Sequence, residues 1–362
     1  MTLIKVKTRG TDNVSSRKNL LINGGMLVDQ RASTMQFNAS SGYRCDRWYQ
    51  GVSGGGTYQF THSDDTPAGF GKSIKIQCTT ADTSLDASAY GYIMHKLEGN
   101  ALQSMNSTNG IVEHTISFYA KASKTGVYTV NLRDEDNSLQ NSKTFTISTA
   151  DTWERYVLTF PAHSSGTLDN DNLSSYRLYW WFQSGTDQTS GTFYNGTWGA
   201  QSNPKRVSSS NVNLGDSTSN NFFITGVQLE VGDSASDFEH RSFAEELQLC
   251  QRYFQKTSSG GQVYFTVGHV WSSTLCQYDY TFPTRMRAHP AISTSGTITN
   301  LSMQSPVNVS STSIDDYSGS GYTKGHVIKF NGNMSSSGYN TGYACALLLN
   351  SNGAYIQFDA EL

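Results

Sequence analysis

Apolar and polar residues alternate along many short segments of this chain. Residues 114–120 and 177–182 are two clear examples, and a period of two is the pattern of a strand with one buried face. Clusters of Asp, Asn, Gly and Ser separate these segments, as at residues 134–137 and 169–172. About eight such segments precede residue 221, and this arrangement predicts an all-β fold that begins with a jelly-roll β-sandwich.

One stretch between residues 221 and 261 changes this period. It begins as an alternating strand over residues 221–231, and Ser242 with Glu245 then forms the capping box that starts a helix. Four apolar residues recur at spacings of four, three and four, which places them on one helical face: Phe243, Leu247, Cys250 and Phe254. We therefore predict one amphipathic linking helix over residues 242–261, ended by the glycines at 260 and 261.

The apolar face of this helix has two interpretations. It either covers the open end of the sandwich or meets two other copies at the axis of a homotrimer, because the same spacing is a short coiled-coil seam. About two heptads are too few to hold three chains together, so a trimer would also need contacts from the flanking β domains. In the second interpretation, the four apolar residues of the helix form the subunit interface.

The patterns on either side of the helix divide the chain into two β domains. Residues 1–18 are polar and basic without a period, and we interpret them as an attachment arm. Residues 19–241 form the predicted jelly roll. Strand-like segments return after the helix, so residues 262–362 are expected to form a second, smaller β-sandwich at the tip of the molecule.

The composition favours a surface made of uncharged polar groups. Charged residues make up 15% of the chain, against about 25% in typical soluble domains, and the net charge of -3 provides no basic field for nucleic acid. No apolar run approaches the roughly 18 residues of a membrane span, and the first residues lack the apolar core of a secretion signal. We expect synthesis in the cytoplasm of a host cell without export, and a surface of extracellular or virion type.

Few patterns in the sequence indicate catalysis or metal binding. It contains no nucleophile elbow, zinc-protease helix, phosphate loop or dinucleotide-binding fingerprint. The run at residues 169–172 begins like a calcium loop, but Ser174 and Trp180 occupy the positions that require Gly and Glu. Adjacent acids such as Asp64 and Asp65 resemble a glycosidase pair only in composition. We predict a protein that is not an enzyme and has no cofactor or metal.

The five cysteines are widely spaced and form no CxxC pair, so they suggest neither a zinc site nor a disulfide framework. We interpret all of them as buried free thiols. They are Cys45, Cys78, Cys250, Cys276 and Cys345.

Aromatic residues in and beside polar loops are the candidates for ligand contact. Their rings can pack on the apolar face of a sugar while neighbouring amides and hydroxyls bind its hydroxyl groups. Residues 179–182 are all aromatic, which predicts one core face and one open platform. The candidate carbohydrate-binding residues are Tyr317, Tyr322, Tyr339, Tyr343, Trp180, Tyr194 and Trp198. The alternative for each ring is packing in the core or between subunits.

Three segments together resemble a recurring module of phage tail-fibre and related virion proteins: RKNLLINGGMLVDQR, GYRCDRWY and FFITGVQLEVGDSASDFEHRSFAEELQLCQRYF. In that module a carbohydrate-binding-module-like jelly roll precedes the helix. The segments FPTRMRAHPAIS and FDAEL resemble the small β domain that follows it. Related jelly rolls often hold a structural calcium with acidic residues where this chain has Met26, Leu27, Thr225 and Gly226.

The resemblance covers most of the chain from Asn19 onwards. It implies a homotrimeric virion fibre, attached to other virion proteins through the arm, that contacts a host-cell glycan without catalysis. Two alternatives stay open. One is a purely structural virion component, such as a head fibre, decoration protein or tail adaptor. The other is a polysaccharide depolymerase, which is expected to show a long parallel β-helix and repeating strands that this sequence lacks.

Overall fold

The computed structural model describes residues 18–31, 36–38, 41–302, 308–316, 327–334 and 340–362. The strands of the first domain are β1 (Gln36–Asn38), β2 (Gly42–Cys45), β3 (Trp48–Ser53), β4 (Thr57–Ser63), β5 (Ser73–Thr80), β6 (Tyr90–Glu98), β7 (His114–Ala122), β8 (Gly126–Asp134), β9 (Leu139–Ile147), β10 (Glu154–Phe160), β11 (Ser174–Ser184), β12 (Gly199–Ala200) and β13 (Asn221–Val231). The strands of the second domain are β14 (Phe254–Ser258), β15 (Val263–Ser272), β16 (Leu275–Thr281), β17 (Ala291–Ser295), β18 (Ile298–Ser302), β19 (Asn308–Asp316), β20 (Val327–Met334), β21 (Ala344–Leu349) and β22 (Tyr355–Asp359). The α-helices within these ranges are α1 (Thr186–Thr189) and α2 (Phe243–Gln251).

The first domain is the predicted jelly roll. Its strands form a six-stranded sheet in the order β1-β4-β5-β13-β7-β10 and a seven-stranded sheet in the order β12-β9-β8-β11-β6-β3-β2. The strands pair antiparallel, and their alternate side chains meet in one core between the sheets. Trp48, Phe118, Trp180 and Phe222 are among its largest side chains.

The linking helix is shorter than the sequence predicts. The Oγ of Ser242 accepts the hydrogen bond of the Glu245 backbone N–H at 3.2 Å, so the predicted start is confirmed. The helix ends at Gln251, however, because Phe254 already begins strand β14, which pairs with β22. The prediction of a helix that extends to residue 261 was therefore wrong.

The four predicted interface residues do not form one exposed stripe. Cys250 is fully buried and Phe254 is 1% exposed, so both pack inside the chain and neither is available to a second copy. Phe243 remains 54% exposed, and Leu247 is half-buried. A helical seam made of all four residues is therefore excluded, because the chain turns from helix to strand before Phe254.

The chain after the helix is again built of β-strands, and six of them close into a barrel. The barrel order is β15-β16-β20-β19-β18-β21, and a three-stranded sheet, β14-β22-β17, stands beside it. The barrel core contains Cys276, Tyr278, Phe330 and Leu347, among others. All five cysteines are free and buried, as predicted.

Residues of the segments 18–31, 42–49 and 358–362 contact one another at the junction between the domains. The carboxylate of Glu361 binds the guanidinium groups of Arg47 and Arg31, the latter at 3.1 Å. The side-chain amide of Gln30 donates to the carboxylate of Asp46 and to the carbonyl of Phe254, both at 2.9 Å. The second domain is thus fastened to the start of the jelly roll by buried polar contacts.

The segment that precedes the helix is fastened to the same region. The carboxylate of Glu239 accepts the backbone N–H groups of Lys18 and Asn19 at 2.8 and 2.6 Å. One guanidinium nitrogen of Arg241 donates to the carbonyl of Leu21 at 3.0 Å. These contacts join the ends of the jelly roll.

Thr225, one of the positions that the sequence resemblance associates with calcium ligands, makes other contacts here. The Thr225 hydroxyl donates to the carbonyl oxygens of Lys72 and Gly25, at 2.7 and 3.3 Å. Among the described residues, no three His, Cys, Asp or Glu side chains lie close enough to hold a metal ion. In the same part of the chain, no helix is long and apolar enough to cross a membrane.

Candidate functional site

The aromatic strand β11 places its rings alternately on the two faces of the seven-stranded sheet. Trp180 points into the core, where it is 1% exposed and its ring lies 5.7 Å from Trp48 and 5.8 Å from Phe118. A ring in this position cannot stack on a sugar. The prediction of Trp180 as a carbohydrate-binding residue was therefore wrong, because the strand turns this ring inwards.

The opposite face of the strand carries an aromatic cluster that is covered. The Tyr92 ring lies 5.0 Å from both Tyr179 and Trp181, and the last two residues are only 3% and 2% exposed. The guanidinium of Arg206 lies over Tyr179 and Trp181, 4.8 and 5.0 Å from their centroids. This cation–π contact fills the face that the sequence predicts as an open platform.

The segment that covers the aromatic cluster is fixed to the sheet beneath it. The Ser142 hydroxyl donates to the carbonyl of Arg206 at 2.7 Å, and the Val207 N–H donates to the carbonyl of Gln188 at 3.1 Å. Burial lowers the pKa of Arg206, and nearby tyrosines act in the opposite direction. The jelly roll therefore presents a closed surface at this position.

The two loop aromatics of the jelly roll also serve packing. The indole N–H of Trp198 donates to the carbonyl of Pro161 at 2.7 Å, and its ring lies 4.9 Å from that of His163. The ammonium of Lys205 lies 5.1 Å from the Tyr194 ring. Both rings are half-buried.

The barrel carries the open aromatic surface of the described residues. Its exposed large apolar side chains lie on β15 or immediately before the neighbouring β21. We call this group the barrel strip: Tyr264 (59% exposed), Val267 (65%), Trp271 (57%) and Tyr343 (43%).

Strand register explains why the barrel strip faces solvent. Tyr264 pairs with Leu348, and Val267 pairs with Ala346, across β15 and β21. Leu347 belongs to the barrel core, so Tyr264 and Val267 lie on the opposite, outer face of the wall. Their partners Leu348 and Ala346 are fully buried, so the exposed surface follows β15. Register shifts at each end of β15 adjust which residues face out along the strand.

Trp271 and Tyr343 are brought together by backbone pairing at the end of β15. The Val270 N–H donates to the carbonyl of Tyr343, and the Gly342 N–H donates to the carbonyl of Val270, both at 2.8 Å. The imidazole of His269 lies 6.1 Å from the Trp271 ring. Two exposed rings and a half-buried imidazole therefore share one end of the strip.

Polar groups beside the barrel strip can bind hydroxyl groups. His269 and Ser272 are half-buried on β15 beside Trp271. The Ser272 oxygen accepts the backbone N–H of Thr274 at 3.4 Å, which leaves its own O–H able to donate. This combination of exposed rings with hydroxyl and imidazole groups is suited to a sugar, whose C–H face is apolar and whose rim is polar.

The sequence identified one member of the strip. Tyr343 was among the predicted binding residues, whereas Tyr317, Tyr322 and Tyr339 lie outside the described residues. Tyr264, Val267 and Trp271 were missed, because 263–270 was interpreted as an ordinary strand. Apolar residues on both faces of that segment, in VYFTVGHVW, are the signal that could have indicated an exposed apolar face.

Several titratable groups with shifted pKa values lie in the interior and away from the strip. Burial raises the pKa of Asp46 to about 7 and lowers the pKa of His114 to about 4. His114 contacts the Tyr176 hydroxyl at 2.8 Å, and burial raises the pKa of that hydroxyl. These groups influence stability and are too deeply buried to contact a ligand in this conformation.

No protein-family profile matches the sequence, and no curated protein sequence matches it significantly. Among solved structures, the chain is similar to the bacteriophage CBA120 tailspike protein 4 enzymatically active domain, with 15% identity and a TM-score of 0.33 over 59% of this chain and 21% of that one. It is also similar to TmCBM61 in complex with β-1,4-galactotriose (8% identity, TM-score 0.29, 60% of this chain and 100% of that one). A third similar structure is a family 11 carbohydrate-binding module from Clostridium thermocellum in complex with a mixed-linked tetrasaccharide (11% identity, TM-score 0.27, 58% of this chain and 99% of that one). We assign no ligand to this chain from these matches.

Proposed function

We propose that this chain is a non-catalytic component of a phage virion that binds a glycan of the host-cell surface through the barrel strip. The observation that carries the proposal is the set of exposed rings along β15 and beside β21, where backbone hydrogen bonds join Val270, next to Trp271, to Tyr343 and Gly342. An exposed aromatic cluster of this kind marks a binding surface in a soluble protein. The resemblance of the signature segments to virion fibre proteins supports the location on the particle.

Glycan binding is tested with the full-length chain on an array of bacterial surface polysaccharides. We expect at least one polysaccharide to bind, and the Trp271→Ala and Tyr343→Ala variants each to bind about three- to tenfold more weakly, as expected for loss of one ring contact. Leu173→Ala is the matched control, because Leu173 is 62% exposed on the jelly roll. Absence of binding to every polysaccharide, or equal binding by the Trp271 variant, would contradict the proposal.

The proposal also includes assembly as a homotrimer that attaches to other virion proteins through residues 1–18. Phe243 is 54% exposed on α2 and is available for a subunit contact. Light scattering should give three times the 39.7 kDa mass of one chain. A mass of one chain would contradict the trimer and leave a monomeric binding protein.

A non-catalytic role predicts that bound polysaccharide stays intact. Incubation of the bound polysaccharide with the full chain should produce no new reducing ends over the time in which binding is complete. Release of reducing ends would support the depolymerase alternative instead.

The structural virion alternative makes a different prediction for the same surface. If the barrel strip is instead a subunit contact, the parent chain should bind no polysaccharide. Trp271→Ala should then lower the mass of the assembly. The two measurements together therefore separate adhesion from a purely structural role.

A further inference from the structure

We infer that the barrel strip binds an uncharged polysaccharide along an internal stretch of several sugar units, rather than at a chain end. The inference rests on the proposed glycan binding and specifies its ligand. Three features of the strip carry it: the separation of its rings, its openness and its lack of net charge.

The rings of the strip are too far apart for one sugar. Tyr264 and Trp271 lie near opposite ends of β15, and with a strand rise of about 3.3 Å and two register shifts between them they are separated by about 20 Å. Val267 lies between them and is 65% exposed, so an apolar side chain stands on the strand between the two rings. A ligand that contacts both ends must be an extended chain.

The strip is open along its length. Each of its four side chains keeps between 43% and 65% of its surface exposed, so none of them lies in an enclosing pocket. Recognition of a chain end requires groups that surround the terminal sugar, because its distinguishing hydroxyl groups must be bound from several sides. An open strip instead allows a polysaccharide to continue past Tyr264 and past Trp271.

Neither β15 nor β21 contains an Asp, Glu, Lys or Arg residue, and an exposed carboxylate on the neighbouring β16 is paired. Asp279 on β16 is 60% exposed, and its carboxylate lies 3.8 Å from the ammonium of Lys329. A chain of uronic or sialic acids would therefore find no unpaired cation among the residues of the strip. An uncharged polysaccharide matches both the rings and the hydroxyl and imidazole groups beside them.

The test uses oligosaccharides of increasing length cut from whichever neutral polysaccharide the parent chain binds on the array. We expect the affinity of the parent to rise with length and then to become constant once the oligosaccharide reaches from Trp271 to Tyr264. Tyr264→Ala should weaken binding of the long oligosaccharides about three- to tenfold and leave the short ones unchanged, whereas Trp271→Ala should weaken both. Binding should also change little between low and high salt, because no ion pair contributes.

Each other outcome has a defined meaning. Equal affinity for short and long oligosaccharides, or no effect of Tyr264→Ala on the long ones, overturns the internal-stretch inference while glycan binding stands. Preference for acidic polysaccharides with strong salt dependence overturns the uncharged ligand. Failure of the parent to bind any polysaccharide overturns the proposed function itself. Val157→Ala, at a 46% exposed position of the jelly roll, is the control that should leave the length dependence intact.

Discussion

Asp46 has a carboxyl group with no solvent exposure, and burial raises its pKa to about 7, although the Arg31 guanidinium acts in the opposite direction. The unfolded chain loses that proton near pH 4. Between about pH 4 and 7 the folded chain therefore holds a proton that the unfolded chain does not. Ionisation of Asp46 destabilises the folded state, so the fold becomes less stable as the pH rises through this window.

Asp46→Asn should remove this contribution. We expect the unfolding free energy of the variant minus that of the parent to be largest above pH 7 and to decrease as the pH is lowered towards 5. The amide of Asn keeps an acceptor for only one of the two Gln30 donors, but that loss does not depend on pH, so the pH dependence of the difference reports the charge. Urea denaturation at several pH values measures the difference, and a difference that does not change with pH would contradict the prediction.

His114 acts in the opposite direction. Burial lowers its pKa to about 4, whereas the unfolded chain takes up the proton near pH 6.5. The unfolded state binds more protons between these values, so the fold loses stability as the pH falls through this window. His95 is buried beside Trp48, and burial lowers its pKa as well, so both histidines contribute to acid sensitivity.

His114→Gln should make the chain less sensitive to acid. Relative to the parent, we expect the variant to gain on the order of 1 to 2 kcal/mol in unfolding free energy between pH 7 and pH 5. Denaturation curves at both pH values provide the measurement. A change in stability that is the same at both values would show that His114 does not titrate in this window.

At the scale of single elements, β13 shows how one glycine permits close packing. Gly226 lies where the pairing of β13 with β7 shifts register, and its φ of +62° is in the left-handed region. A Cβ at this position would stand 2.6 Å from the ring of Phe70. The glycine is therefore required both by the backbone conformation and by the neighbouring ring.

Gly226→Ala should destabilise the jelly roll by about 2 to 4 kcal/mol, because backbone strain and a side-chain clash add together. Gly69→Ala is the matched control: its φ is +92°, but a Cβ there meets no atom within 4 Å. The control should cost about 1 to 2 kcal/mol from strain alone. Thermal unfolding of both variants measures the difference, and equal losses would show that contact with Phe70 is unimportant.

The elements also show which features can be predicted from sequence. Alternation identified β11 and β13, and the capping box identified the start of α2 at Ser242, because these signals are local. The end of α2 was missed because Phe254 continues the helical spacing by coincidence while pairing in a strand. The covered face of β11 was missed because Arg206 reaches it from a distant loop, and no local pattern encodes that contact.

At the scale of the whole molecule, the two domains are joined through Glu361. Its side chain is 3% exposed and neutralises Arg47, which is 1% exposed, together with Arg31. Removing one partner of a buried ion pair leaves an uncompensated charge inside the protein, which usually costs about 3 to 5 kcal/mol. The junction therefore couples the stability of the jelly roll to that of the barrel domain.

Glu361→Gln should weaken this coupling. We expect a loss of about 3 kcal/mol and the separation of one unfolding transition into two, as the barrel domain unfolds before the jelly roll. Calorimetry of the full chain detects both effects. The exposed Asp151→Asn serves as the control and should keep a single transition. A single transition with unchanged midpoint in the Glu361 variant would show that the ion pairs do not join the domains.

The same junction determines how the molecule responds to mechanical tension. Under the proposed function, tension on a glycan bound to the barrel strip would reach the jelly roll through the Glu361 ion pairs, the Gln30 amide and the polypeptide that leaves α2. These connections lie side by side and share the load, so none has to resist the full pull alone. A linker of similar length without such contacts would extend under tension, whereas this junction transmits the force without extending.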